Sequence, residues 1–243
     1  MTSAESANSF YPTTAIKRIK LLCLAGAFVT IIFFACKWIL ADISYNIARS
    51  EINSWYIGGI ADSLADWNHA SLWLDRAKFL NKAEPEYHLL EATLLEWRSN
   101  VAGNPITDGD YLLYAEQALT AYRNAIELRP GWPMSWIRLA RQKAILQQFD
   151  AEFDRAFSRA IELGKWTPRV QIIIAEISAL SWEKLDADKQ ANAIENAQRG
   201  LSVSSYNSDL LQFMTLSTML PVICPSLIQE QLHVRARNAC SRL

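Results

Sequence analysis

Ala118-Leu-Thr-Ala-Tyr-Arg-Asn-Ala-Ile-Glu-Leu-Arg-Pro-Gly-Trp-Pro133 is the stretch whose reading decides the fold. Traced back to Tyr111, it places Tyr111, Ala115, Ala118, Tyr122 and Ala125 at steps of four and three. That spacing puts all five on one face of an α-helix. Arg129-Pro130-Gly131 then stops the helix, because proline cannot extend it and glycine tolerates the turn.

Ala118, Tyr122, Ala125 and Pro130 have the spacing of the second helix of a tetratricopeptide repeat (TPR). Two alanines let a neighbouring helix come close, the aromatic fills the gap, and the proline separates one helix pair from the next. Working outward, Trp136, Leu139 and Ala140 fit the first helix of another pair, Phe149-Asp150 a turn, and Phe153, Phe157 and Ala160 its second helix. Ala125-Ile-Glu-Leu128 recurs as Ala160-Ile-Glu-Leu163, and Trp132 recurs as Trp166. Ala70, Leu74 and Ala77, then Pro85, Tyr87, Leu90 and Ala92, form a weaker earlier copy. Lys143 and Gln147 depart from the pattern, and 100–109 reads as a loop inserted within one pair. Stacked repeats need closed ends; 43–67 and the chain from Pro168 onward fit that role. Ile172, Ile173, Ile174, Ile177, Leu180 and Trp182 predict a helix covered on more than one side, with further helices near 187–202, 208–220 and 226–241. The expected fold is all-α: a TPR-like solenoid of antiparallel helix pairs behind a single transmembrane helix.

That transmembrane helix is read from Leu21–Cys36, an uncharged and almost wholly apolar run. Lys37 interrupts it before Trp38-Ile39-Leu40-Ala41. A lysine near a helix end extends its stem to the headgroups, and tryptophan favours the same zone. The span is then about twenty residues, enough to cross a bilayer core. A buried soluble helix and a cleaved signal peptide are the alternatives, but Phe33 and Phe34 suit neither ordinary nor lipoprotein cleavage at Cys36. Lys17, Arg18 and Lys20 precede the span and predict a cytoplasmic N-terminus. The expected organisation is a tail over 1–15, an anchor over 16–41 and a periplasmic helical domain over 42–243, at a bacterial inner membrane.

The chain has 243 residues, of which 51% are hydrophobic, so wholesale disorder is excluded. Beyond the anchor it carries 20 basic and 24 acidic residues with no basic patch, which gives nucleic acid no electrostatic footprint.

Nothing in the residues suggests catalysis or a cofactor. His69, His88 and His233 lie far apart without metal-ligand spacing. Gly-x-Ser-x-Gly, Cys-x-x-Cys and a phosphate-binding glycine loop do not occur. Asp150, Glu152 and Asp154 could be a glycosidase-like carboxylate set, but an acid opening a helix is better read as a cap on the N-terminal dipole. Cys23 and Cys36 fall in the anchor as small hydrophobes. Cys224 and Cys240 are the disulfide candidates, with two free buried thiols as the alternative. Trp132, Trp136 and Trp166 could line a sugar groove by stacking, or seal helix to helix at repeat boundaries; packing is the expectation.

The wording of 87–201 resembles a more specific group. Tyr87-His-Leu-Leu-Glu91, Ala125-Ile-Glu-Leu-Arg-Pro-Gly-Trp-Pro133, Trp136, Phe149-Asp-Ala-Glu-Phe153 and Leu163-Gly-Lys-Trp-Thr-Pro168 resemble the VpsP-like family of exopolysaccharide biosynthesis proteins. Lys165 departs from the proline or small residue frequent there. The resemblance implies a role in making or exporting an extracellular polysaccharide. Partners would then be envelope proteins of that machinery, with polysaccharide itself as the alternative ligand and assembly of a pilus or cytochrome as the alternative pathway. Trp132, Trp136, Arg138 and Arg141, near the best-formed repeat, are the candidate partner-binding residues.

Overall fold

A computed structural model describes residues 13–58, 64–101, 109–203 and 207–243. They form α1 (Thr13–Gly58), α2 (Leu64–Leu80), α3 (Pro85–Val101), α4 (Gly109–Leu128), α5 (Pro133–Ile145), α6 (Ala151–Gly164), α7 (Pro168–Ser181), α8 (Ala187–Ser202), α9 (Asn207–Leu216), α10 (Met219–Ile223) and α11 (Val234–Cys240). Among the described residues there is no strand. Most of the inserted loop at 100–109 and the expected 1–15 tail lie outside them, although α1 already begins at Thr13.

α1 is 46 residues long and does not stop where the apolar run stops. Its first half is long and apolar enough to cross a membrane, and Leu21, Phe28, Val29 and Phe33 all stand exposed. A soluble core helix would bury them. Its second half turns Ala41, Ala48, Ile52 and Trp55 into a core shared with Ala70, Leu74 and Ala77 of α2 and Tyr87, Leu90 and Leu94 of α3. The division expected between Ala41 and Asp42 is therefore no break in the chain. Between Ala27 and Ile57 there is no glycine or proline to end a helix, so only side-chain character changes there.

From α3 onward the helices pack as antiparallel pairs. α3 lies on α4, α5 on α6 and α7 on α8. The repeat-face residues Ala118, Tyr122, Ala125, Leu139, Ala140, Phe153, Phe157 and Ala160 share one core. Phe149 meets Phe153 edge-on and Phe153 stacks on Phe157, with centroids 5.1 and 5.8 Å apart. Gly164 marks a close approach: a Cβ there would meet that of Pro133 at 2.9 Å. α7 is covered by α5, α8 and α9, as its apolar run predicts. α11 is shorter than the helix expected over 226–241, because Cys224–Ser226 and Gln229–Gln231 are single 3₁₀ turns. Pro225 starts the first of these turns and removes a backbone donor. A disulfide joins Cys224 to Cys240.

Candidate groove on the α1–α3–α5–α7 face

α5 packs closely on α4, α6 and α7 but stands away from α3. The gap opens a cavity of about 400 Å³ lined by Glu96, Tyr122, Arg138, Arg141, Arg169 and Glu176, among others. A neighbouring cavity of about 620 Å³ reaches back to α1 through Tyr45 and Arg49, passing Glu86, Thr93 and Trp132. Arg138 and Arg169 line both, so the two form one groove across four helices.

The groove's charges follow from its pairings. Arg141 Nε donates to Glu176 Oε2 at 2.6 Å, while its Nη1 lies 3.7 Å from Glu96. Tyr122 donates its phenol to Glu96 at 2.7 Å. This chain ties α4, α3, α5 and α7 together. Burial opposes the Arg141 charge, but Glu96 and Glu176 outweigh it and raise its pKa. Burial first, then Glu96, pushes the Tyr122 phenol well up. All three lining glutamates have cationic neighbours, since Glu86 lies 4.0 Å from Arg129. Arg49 and Arg169 pair with no carboxylate among the described residues. Arg138 donates to Thr93 Oγ1 at 2.7 Å. Arg49 lies over the Tyr45 ring, 6.0 Å from its centroid. Arg169 is exposed and makes no hydrogen bond or ion pair among the described residues. The groove therefore carries uncompensated positive charge beside aromatic surface.

Of the four sequence candidates, Arg138 and Arg141 line the groove and Trp132 lines its α1 end. Arg129 stacks over the Trp132 ring at 4.0 Å. Trp136 points elsewhere and donates to the Pro130 carbonyl at 2.7 Å. The packing role expected of Trp166 is wrong: it is 63% exposed at the α6–α7 turn. Val170 already fills the close contact to Gly164 there. Arg49 and Arg169 escaped the sequence reading, and no spacing marks them. The Arg141–Glu176 pair was within reach, since the two stand 35 residues apart, one repeat.

The acidic trio is spent on structure. Asp150 caps α6, accepting from Glu152 N and Phe153 N at 3.0 Å. Glu152 is held by Arg123 at 2.7 Å and Lys143 at 2.9 Å, and Asp154 by Lys189 at 2.9 Å. The three histidines are apart: His69 faces Glu51, His88 faces Glu91, and His233 caps α11. No metal-holding cluster occurs among the described residues. No protein-family model matches the chain, and no curated protein matches it.

Proposed function

We propose that this protein is a membrane-anchored, TPR-like scaffold whose groove takes an acidic segment of a partner protein of the bacterial envelope, in support of exopolysaccharide synthesis or export. The observation that carries the binding role is the groove itself, where Arg49 and Arg169 face an opening without carboxylate partners. Both are solvent-exposed cations at the groove's mouth, and such charge favours an anionic ligand and steers its approach. The antiparallel pairs and the one-repeat ion pair support the TPR-like description. Lys17, Arg18 and Lys20 ahead of the apolar span support a cytoplasmic N-terminus, and the Cys224–Cys240 disulfide suits an oxidising compartment beyond the inner membrane. The pathway rests on the resemblance of 87–201 to VpsP-like proteins.

A photo-crosslinking amino acid at Met134, which lines the groove, tests this in cells. It should capture a protein, whereas the same group at the exposed Arg155 on α6 should not. Arg49→Glu with Arg169→Glu should weaken the captured complex about tenfold per charge reversed. Crosslinking unchanged by the double reversal would sink the reading. Tyr45 and Trp132 in the groove favour a second reading, an acidic polysaccharide stacked on the rings; retention of the purified full-length protein on the cognate glycan, without protein partners, distinguishes it.

A further inference from the structure

The helical domain begins where the apolar span ends, with no spacer. Ala41 is 0% exposed within the core of α1, α2 and α3, and Asp42 Oδ1 accepts from the Tyr87 phenol at 2.8 Å. The start of α3 is thus level with the end of the span. His69 Nδ1 meets Glu51 Oε1 at 2.5 Å, and α2 runs antiparallel to α1, so each step along α2 returns toward the span. Phe79 is reached at about the level of Ala41.

The same edge continues across the molecule. Glu86 lies 4.0 Å from Arg129, which brings the α4–α5 turn to the start of α3. Pro133 and Val170 crowd Gly164, which brings the α6–α7 turn to the start of α5. Three successive turns therefore share the edge at which the span leaves the domain. Each pairs an aromatic with a cation: Phe79 with Lys82, Trp132 with Arg129, and Trp166 with Lys165. Phe79 is 78% exposed, Trp166 is exposed as well, and so are Lys82, Arg129 and Lys165. Water is a poor environment for the exposed rings, whereas a bilayer interface takes aromatic rings at the headgroup level and cations at the phosphates.

We propose that this turn edge is a second membrane contact, on which the domain lies against the phospholipid surface with Phe79 and Trp166 seated in the headgroup zone. The contact would fix the domain's orientation, with α2 and α4 returning to the bilayer and the groove opening sideways. The proposal rests on α1 spanning the membrane, and the test separates the two. Full-length protein is reconstituted in vesicles of phosphatidylethanolamine and phosphatidylglycerol. Single cysteines carrying an environment-sensitive fluorophore replace Phe79, Trp166, Ser54 or Val29, in a Cys23→Ala, Cys36→Ala background. Lipid-borne quenchers are placed shallow or deep. Phe79→Cys and Trp166→Cys should lose severalfold more fluorescence to the shallow quencher than Ser54→Cys, which sits near the far end of α1. Val29→Cys should respond to the deep quencher. If Val29→Cys responds while Phe79→Cys and Trp166→Cys behave like Ser54→Cys, the edge contact is overturned and the anchor stands. If Val29→Cys does not respond, the anchor fails and the proposal fails with it.

Discussion

At the residue scale, the informative position is Lys143, which interrupts the repeat pattern with a charge whose side chain is only 2% exposed. A buried cation survives only when paired, and Asp150 and Glu152 supply the pair at 2.9 Å each. Burial opposes the Lys143 charge, but the two carboxylates raise its pKa all the same. Glu152 is in turn lowered from 4.5 to about 2, chiefly by Arg123, against the burial penalty and with help from Lys143. A carboxylate with a depressed folded pKa adds stability above its unfolded value, and loses it as the pH falls toward the folded one. Glu152 should therefore stabilise fully above about pH 4.5 and hardly at all near pH 2. Its side chain is a third exposed, so solvent screening reduces the benefit to about 1–2 kcal/mol. Glu152→Gln should cost that much at pH 7 by chemical denaturation, and the gap to wild type should close by pH 2.5. An equal cost at both pH values would show that the ion pairs contribute nothing. Gln147 is the neighbouring departure from the repeat; it sits at φ 57°, in the left-handed region, where it ends α5.

At the element scale, the helices were legible wherever two signals agreed. Ala118, Tyr122 and Ala125 share a face, and Pro130 marks the stop, so α4 and its turn could be read directly. Asp150 before Glu152 and Phe153 announced a cap, and the backbone there uses it as one. Side-chain character and backbone punctuation part company in α1 and at the two repeat-boundary tryptophans. Asp42 ends the apolar run, yet no residue near it ends a helix, so α1 continues to Gly58. Trp166 repeats Trp132 in register but not in surroundings, because one lines a cavity and the other faces outward. The C-terminal segment shows a third case. Its short helix and two 3₁₀ turns are tied by the His233 N–Leu201 O bond and by Arg237, which donates to the Gln229, Glu230 and Leu232 carbonyls, and the Cys224–Cys240 link adds a covalent staple. It closes 16 residues of chain, worth roughly 3 kcal/mol in the chain-entropy account. In full-length protein solubilised by detergent, thiol labelling should reach Cys23 and Cys36 without reductant, and Cys224 and Cys240 only after reduction. Reduction should also loosen amide protection from 219–243 before it affects α3–α6. Labelling of Cys224 and Cys240 in the untreated protein would remove the staple from the account.

At the scale of the whole molecule, the apolar run and the packed domain share one continuous helix. The groove could not be read from the sequence, because Arg49, Arg138 and Arg169 lie on three helices and meet only where α3 and α5 stand apart. The same continuity makes the residues at the end of the apolar run part of the fold's stability. Ala41 has no exposed surface, and Asp42 takes the Tyr87 phenol, whose pKa burial and that bond raise. A fragment that starts at Ser44 removes both, leaving the Tyr87 hydroxyl without its acceptor in a largely buried site. An orphaned buried hydroxyl costs about 1–3 kcal/mol, and the exposed start of α1 would fray besides. Fragment 38–243 should therefore melt above fragment 44–243 by several degrees, since about 1 kcal/mol shifts a domain of this size by about 2–4 °C. Asp42→Ala placed in the longer fragment should reproduce most of the loss. Equal melting temperatures for the two fragments would mean that the domain folds independently of the span's last turn, and that α1 is a tether rather than a strut.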